Sequence, residues 1–227
     1  MRIVISRRPV RFGLLAAAVA GSLCLGVAGC GGDGDEEAAD KAVAGTQLCG
    51  GDAVSAQASK ALKVITGSSR FGTTGEKSTV AQAATDLVAA FPAPTGGRDD
   101  VCRIYPDDGT SDFAIRVTWG LDDGNSTGTP APDFTELKMG ERTLAAANRA
   151  SVLFACRSDK FPNRMDEALV DIGVERWGMP TEPEEGDVEA LKDAYATVAH
   201  SFSLAMAKEL GCEKNGGLPE RPVLDPA

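Results

Sequence analysis

The stretch Val27-Ala28-Gly29-Cys30 constrains this chain most, because it decides which residues fold together and in what redox environment. Residues 2–11 hold Arg2, Arg7, Arg8 and Arg11 and no acid, and an apolar run then extends from about Phe12 to Ala28. A basic start, a short apolar segment and small residues before a cut define a secretory signal. A cysteine placed directly after those small residues has the form of a lipobox, whose thiol takes a diacylglyceryl group before cleavage. Cys30 is therefore the expected lipid attachment site and mature N-terminus, beyond a signal peptide at 1–29. The alternatives are a signal anchor, since the run lies at the lower limit of the roughly 20 residues of a membrane span, or an ordinary signal that leaves Cys30 unmodified. Ser6-Arg7-Arg8 with Val10 hints at twin-arginine export, although Pro9 and Arg11 are not its usual neighbours.

Without residues 1–29, 198 of the 227 residues remain, enough for one domain with a real core. The signal carries four of the 23 basic residues and none of the 33 acids, which leaves 19 against 33, a net charge of −14. Such a chain has no electrostatic footprint for nucleic acid, and anionic headgroups repel it. Membrane attachment is thus expected through the N-terminal lipid alone. Solubility explains the charge most simply, and recognition of a cationic partner is the alternative.

Cys24 leaves with the signal and Cys30 is lipidated, so Cys49, Cys102, Cys156 and Cys212 remain. Four cysteines in an exported domain imply two disulfides, with three possible connectivities. No pair has C-x-x-C spacing and the chain has one histidine, so the residues predict no zinc site and no other metal.

Residues 30–47, opening Cys-Gly-Gly-Asp-Gly-Asp-Glu-Glu, are acidic and poor in apolar groups, and read as a flexible tether. A single domain is expected over 48–218, with a tail at 219–227. Val54, Ala58, Ala61, Leu62 and Ile65 fall at helical spacing before Gly67. A second helix follows Thr79-Val80-Ala81-Gln82, which has capping-box form, and Pro92 ends it. Period two then takes over. Strands are expected at Val101–Tyr105, Phe113–Trp119, Phe134–Met139, Ala150–Arg157 and Ala168–Val174, with Gly120–Asp133 a loop. A long helix runs from about Asp187 to Leu210, with Val188, Leu191, Tyr195, Val198, Phe202, Met206 and Leu210 as its stripe. The fold class is α+β: two N-terminal helices, a mostly antiparallel sheet of four to five strands and a C-terminal helix packed on it. If the first two helices form a hairpin, Cys49 meets Cys102 and Cys156 meets Cys212. The rival pairing is Cys49–Cys212 with Cys102–Cys156.

Residues that suggest chemistry have structural readings that fit better. His200 is the only histidine, lies in mid-helix on a face of small residues, and reads as packed rather than catalytic. Gly67-Ser68-Ser69-Arg70-Phe71-Gly72 has the glycine spacing of a phosphate loop, but Thr73-Thr74 stands where Lys-Ser should, and Lys77-Ser78 comes too late. It reads as an inter-helix loop, and no cofactor is expected. Asp107-Asp108-Gly109 and Asp122-Asp123-Gly124 resemble calcium ligands but bracket one strand, about 20 Å apart, and read as acidic turns. The sequon Asn125-Ser126-Thr127 carries little in a bacterial chain. Glu167, Asp171 and Glu175 are candidate carboxylates for glycoside hydrolysis, with a solvated face as the simpler reading. Trp177 with Arg176 forms the candidate binding surface, with core or lid packing as the structural reading.

The lipobox, the Cys-Gly-Gly after the tether, Val152–Arg157 and the tail Gly211-Cys212-Glu213-Lys214-Asn215-Gly216-Gly217-Leu218-Pro219 together resemble uncharacterised lipoproteins of actinomycetes such as Streptomyces. The high Ala, Gly and Asp content suits that origin. The resemblance spans most of the mature chain. It implies an extracytoplasmic, lipid-anchored location on the cell membrane and a shared fold, and carries no site residues. The expected function is a binding or interaction module for an envelope protein or wall polymer, and not an enzyme. An envelope hydrolase is the alternative, and 198 residues scarcely suffice for a two-lobed solute receptor.

Overall fold

The computed structural model describes residues 42–73, 79–91, 97–107, 112–124, 128–162, 167–178 and 186–227. The export signal, Cys30 and tether residues 30–41 lie outside the described residues. So do Thr74, Lys77-Ser78, Pro92, Asp108-Gly109 and the sequon at 125–127. Among the described residues no helix is long and apolar enough to cross a membrane.

The fold is α+β, as the patterning predicts, with an antiparallel sheet, a C-terminal helix and two disulfides. In chain order the elements are β1 (Val43–Ala44), a 3-10 turn (Gly45–Gly50), α1 (Ala56–Thr66), β2 (Arg70–Thr73) and α2 (Val80–Ala90). Strands β3 (Arg98–Pro106), β4 (Phe113–Asp122), β5 (Thr135–Leu137), β6 (Arg142–Ala146), β7 (Arg149–Cys156) and β8 (Ala168–Gly178) follow. Helix α3 (Val188–Leu210) and a second 3-10 turn (Glu213–Gly217) complete the order. The sheet runs β1-β2-β3-β4-β8-β7-β6-β5, and each neighbouring pair is antiparallel.

Eight strands replace the expected four or five. The three unexpected ones are short or interrupted by glycine. β2 falls inside the glycine-rich stretch read as a loop, and β1 falls inside residues 42–47 of the expected tether. β4 also runs three residues past Trp119 into the expected loop.

Local chemistry explains the helices. Ser55 caps α1 by accepting from the Ala58 N–H, and Gly67 ends it in the left-handed conformation at φ 75°. Thr79 accepts from the Gln82 N–H at the start of α2. The Gln82 amide turns instead to Asp86, so only half of the expected capping box forms. Asp187 caps α3 through the N–H groups of Glu189 and Ala190, and Gly211 closes it at φ 69°. Val188 is exposed, so the core stripe of α3 begins further along, at Ala194 and Tyr195.

The helices do not form the expected N-terminal hairpin. β2 separates α1 from α2, α1 packs chiefly on α3, and α2 packs on α3 and β3. Helices α2 and α3 cover one face of the sheet and α1 packs on α3, and Val117, Phe154, Ile172 and Val174 of that face share one buried core with Phe202 and Met206. The disulfides join Cys49 to Cys102 and Cys156 to Cys212. The first ties the 3-10 turn to β3, and the second ties the end of β7 to the residue after the α3 cap. Residues 219–227, expected as a tail, also belong to the fold. Asp225 accepts from the Lys138 N–H, and the Ala227 N–H donates to the Glu136 carbonyl, which covers the outer edge of β5.

Candidate functional site

Successive strand residues point to opposite faces, so a sheet with helices on one side leaves every second side chain on the other. On β8 the covered positions are Ala168, Val170, Ile172 and Val174, all buried, and the uncovered ones are Leu169, Asp171, Gly173, Glu175 and Trp177. Register places Arg116 opposite Glu175, Thr118 opposite Gly173 and Gly120 opposite Asp171. On the other side, Ser151 lies opposite Gly173 and Leu153 opposite Asp171.

Two cavities lie on this face. The smaller, about 290 Å³, is walled by Arg98, Arg116, Arg149, Phe134, Asp171 and Glu175, with Gly173 between them. Gly173 keeps it open, because a Cβ there would stand 2.7 Å from Thr118 Oγ1. The larger, about 460 Å³, lies beside it among Asp122, Glu136, Arg142, Leu153 and Leu169. The two share a border: Leu153 of the larger pairs with Asp171 of the smaller, and Glu136 of the larger with Leu144 of the smaller.

Ion pairs set the walls. Asp100 bridges Arg103 and Arg116 at 2.8 and 2.6 Å, and Arg116 continues to Glu175 at 3.3 Å. Arg149 pairs with Asp133 at 3.0 Å and stacks on Phe134 at 4.6 Å. Arg98 differs from these. Its Nε lies 3.3 Å from where a Gly120 Cβ would stand, so the guanidinium rests on bare backbone. Among the described residues it has no carboxylate within ion-pair distance, although its charge reaches Asp171. Burial pushes the Asp171 carboxyl up to about 6. Arg98 opposes that rise, Asp122 adds to it, and a hydrogen bond with Ser151 opposes it.

The residues singled out in the sequence are scattered by the fold. Trp177 is exposed on the uncovered face, with the Arg103 guanidinium 4.4 Å over its ring. Arg176 points to the covered face and stacks on Phe113 at 3.6 Å, so the two neighbours do not share one surface. Glu167 precedes β8 and pairs with Arg157 at 3.5 Å. Asp171 and Glu175 share a face but stand four residues apart, about 13 Å along the strand, too far to flank one glycosidic bond.

His200 is buried, and its Nε2 lies 2.8 Å from the Pro219 carbonyl oxygen. Burial lowers its pKa, and the bond to Pro219 opposes that shift. The neighbouring hydroxyls give it no nucleophile: Ser201 donates to the Ala53 carbonyl and Ser203 to the Ala199 carbonyl. Among the described residues no group of three His, Cys, Asp or Glu is placed to hold a metal ion. Arg98, Arg149 and Phe134 were not legible as site residues. Their only sequence signal is the polar half of a period-two strand or a loop, which any solvated face shares.

No protein-family model, curated protein or solved structure matches this chain.

Proposed function

We propose that this chain is an extracytoplasmic lipoprotein, held to the cell membrane by lipid on Cys30, whose folded domain is a binding module that uses the uncovered face of its sheet. The resemblance to actinomycete lipoproteins and the form of the lipobox support the location. The observation that carries the binding reading is the pair of adjoining cavities on a face that no helix of the described residues covers, walled by ordered ion pairs. Binding sites are concave and place a few polar groups with precision, which matches this face.

A photo-crosslinking residue at Leu144, which lines the smaller cavity, tests the module in intact envelopes against the same residue at the exposed Val64 of α1. Envelope adducts are expected from position 144 and not from 64. Equal yields from both would overturn the reading. For the anchor, Cys30→Ala is expected to release the protein or leave it unprocessed, and a processed, membrane-bound variant would sink it.

An envelope hydrolase is the second reading, favoured by one observation. Asp171 and Asp122 are diagonal neighbours on the uncovered face, about 7–8 Å apart along the backbone, and Asp171 is held toward its protonated form. An acid beside a carboxylate suits inverting glycoside cleavage. Wall-polymer hydrolysis lost in both Asp171→Asn and Asp122→Asn would favour it.

A further inference from the structure

The connection from β4 to β5 has to cross the sheet, because β8, β7 and β6 lie between those two strands. It crosses on the face that the helices leave open. Gly128 and Pro130 line the larger cavity beside Leu153, and Phe134 lines the smaller beside Asp171. Each cavity thus has the strap of residues 128–134 on one side and the sheet on the other.

Main-chain bonds do not hold this strap down. Among the described residues, its one main-chain hydrogen bond runs from the Phe134 N–H to the Ala131 carbonyl, inside the strap itself. Pro130 and Pro132 have no N–H to give, and their fixed φ stiffens the segment. Two arginines of the sheet grip it instead. Arg142 of β6 donates to the Gly128 carbonyl, and Arg149 of β7 pairs with Asp133 at 3.0 Å and stacks on the Phe134 ring at 4.6 Å.

The two grips are unequal. The Arg142 side chain is 17% exposed and also pairs with Glu136, whereas Arg149 and Asp133 are 46% and 54% exposed. An ion pair so open to water holds weakly. Past Phe134 the chain is firm again. Thr135 pairs with Ala145 in the sheet, and its hydroxyl accepts from Lys192 Nζ at 3.2 Å. The strap therefore has two fixed ends, at Gly128 and Thr135, with one light grip between them.

Little opposes its lifting from below. Gly173 contributes no side chain to the floor of the smaller cavity, and Thr118 and Ser151 lie opposite it on either side. Pro130 and Phe134 are only half-buried, so raising them exposes little further apolar surface.

We propose that residues 128–134 are a lid that bows away from the sheet when Arg149 releases Asp133 and Phe134, and that this motion gates entry to the smaller cavity. Loops of this kind admit a ligand and then shield it from water. The proposal rests on the binding-module reading and names how that site opens.

Cysteine labelling of the full chain in detergent tests the lid without any ligand. Ser151→Cys places a thiol on the cavity floor, Val64→Cys places one on the exposed side of α1, and Ser203→Cys places one in the buried core of α3. Iodoacetamide is the probe, and each position is read by peptide mass. Position 151 is expected to react more slowly than 64 and faster than 203. Asp133→Asn removes the grip without touching the cavity wall. It should speed labelling at 151 by about two- to fivefold, and leave 64 and 203 unchanged. A rate at 151 equal to that at 64 would overturn the lid, because the floor would already stand open. An unchanged rate at 151 in Asp133→Asn would overturn it as well, and so would a rise matched at 203, which reports unfolding of the whole domain. The crosslinking at Leu144 reads the module separately: adducts there with an unresponsive position 151 leave a binding face under a fixed strap, whereas a responsive position 151 without adducts leaves a moving strap and removes the module.

Discussion

Ser201, in the middle of α3, holds the start of α1 through Ser55. The Ser55 N–H donates to Ser201 Oγ at 2.9 Å, and the same hydroxyl donates to the Ala53 carbonyl at 2.9 Å. One buried side chain thus satisfies two backbone groups of a segment some 146 residues earlier. Ser201→Ala removes both partners at a site where water has little access. The expected loss is about 1–3 kcal/mol in urea unfolding. A loss below about 0.5 kcal/mol would show that the segment finds other partners.

The disulfide pairing brings together residues 53 and 56 positions apart. Closing loops of that length stabilises by about 4 kcal/mol in the chain-entropy account. Peptide mapping without reductant is expected to yield Cys49 with Cys102 and Cys156 with Cys212. Replacing Cys156 and Cys212 together by Ala should lower stability by about 2–4 kcal/mol. Mapped Cys102–Cys156 peptides would contradict the fold itself, since these two residues lie on different strands separated by β4 and β8.

The second 3-10 turn provides a sharper mutational test of the C-terminal segment. Lys214, Asn215 and Gly216 are all left-handed, at φ 51°, 55° and 66°. A Cβ on Gly216 would lie 2.6 Å from Phe154 Cδ2 and 2.8 Å from the Ala155 carbonyl oxygen. The first contact is with a fully buried ring and the second with strand backbone, so neither neighbour can yield cheaply. Gly216→Ala is expected to cost about 2–4 kcal/mol. Gly217→Ala is the contrast: it shares a positive φ of 73° but has open space, so about 1 kcal/mol is expected.

The fold was legible where one signal dominated. Thr79, Asp187, Gly67 and Gly211 mark helix ends by chemistry that acts locally, and the structure uses each of them, whereas the Ser55 cap emerges only from the structure. The alternation from Phe113 to Trp119 marks β4 because only one face is buried. β1, β2 and β6 escaped because two to five residues carry too little periodicity, and β2 lies in a glycine-rich stretch whose pairing comes from β3. The pairing Cys49–Cys102 was anticipated from a helical hairpin that does not exist. It arises instead because the 3-10 turn and α2 share the covered face of β3. The site was mostly hidden. Trp177 was conspicuous as an aromatic near a turn, but the meaning of Arg98, Gly120 and Gly173 depends on register across three strands, which no local pattern states.

Asp171 gives the smaller cavity a measurable pH signature. Its carboxyl stands at about 6 in the fold against 3.8 without it, chiefly through burial, with Asp122 adding and Arg98 and Ser151 opposing. Below pH 3.8 the group is protonated in both states and costs nothing. Between 3.8 and about 6 the unfolded chain ionises first, so stability falls as pH rises, by on the order of 2–3 kcal/mol. Above about 6 the penalty is constant. His200 acts in the opposite sense over part of the same window: its pKa is lowered by burial, so its contribution is present above 6.5 and is lost as pH falls. The wild-type profile sums the two, and Asp171→Asn separates them. This variant keeps the shape of the side chain and removes the charge. It should match wild type at pH 4 and exceed it in thermal unfolding at pH 7.5. Arg116, Arg149 and Glu175 also line this cavity and are the same in both proteins, so they do not create the difference between them. A variant less stable than wild type at pH 7.5 would show that the ionised carboxylate is held by Arg98 more strongly than burial opposes it.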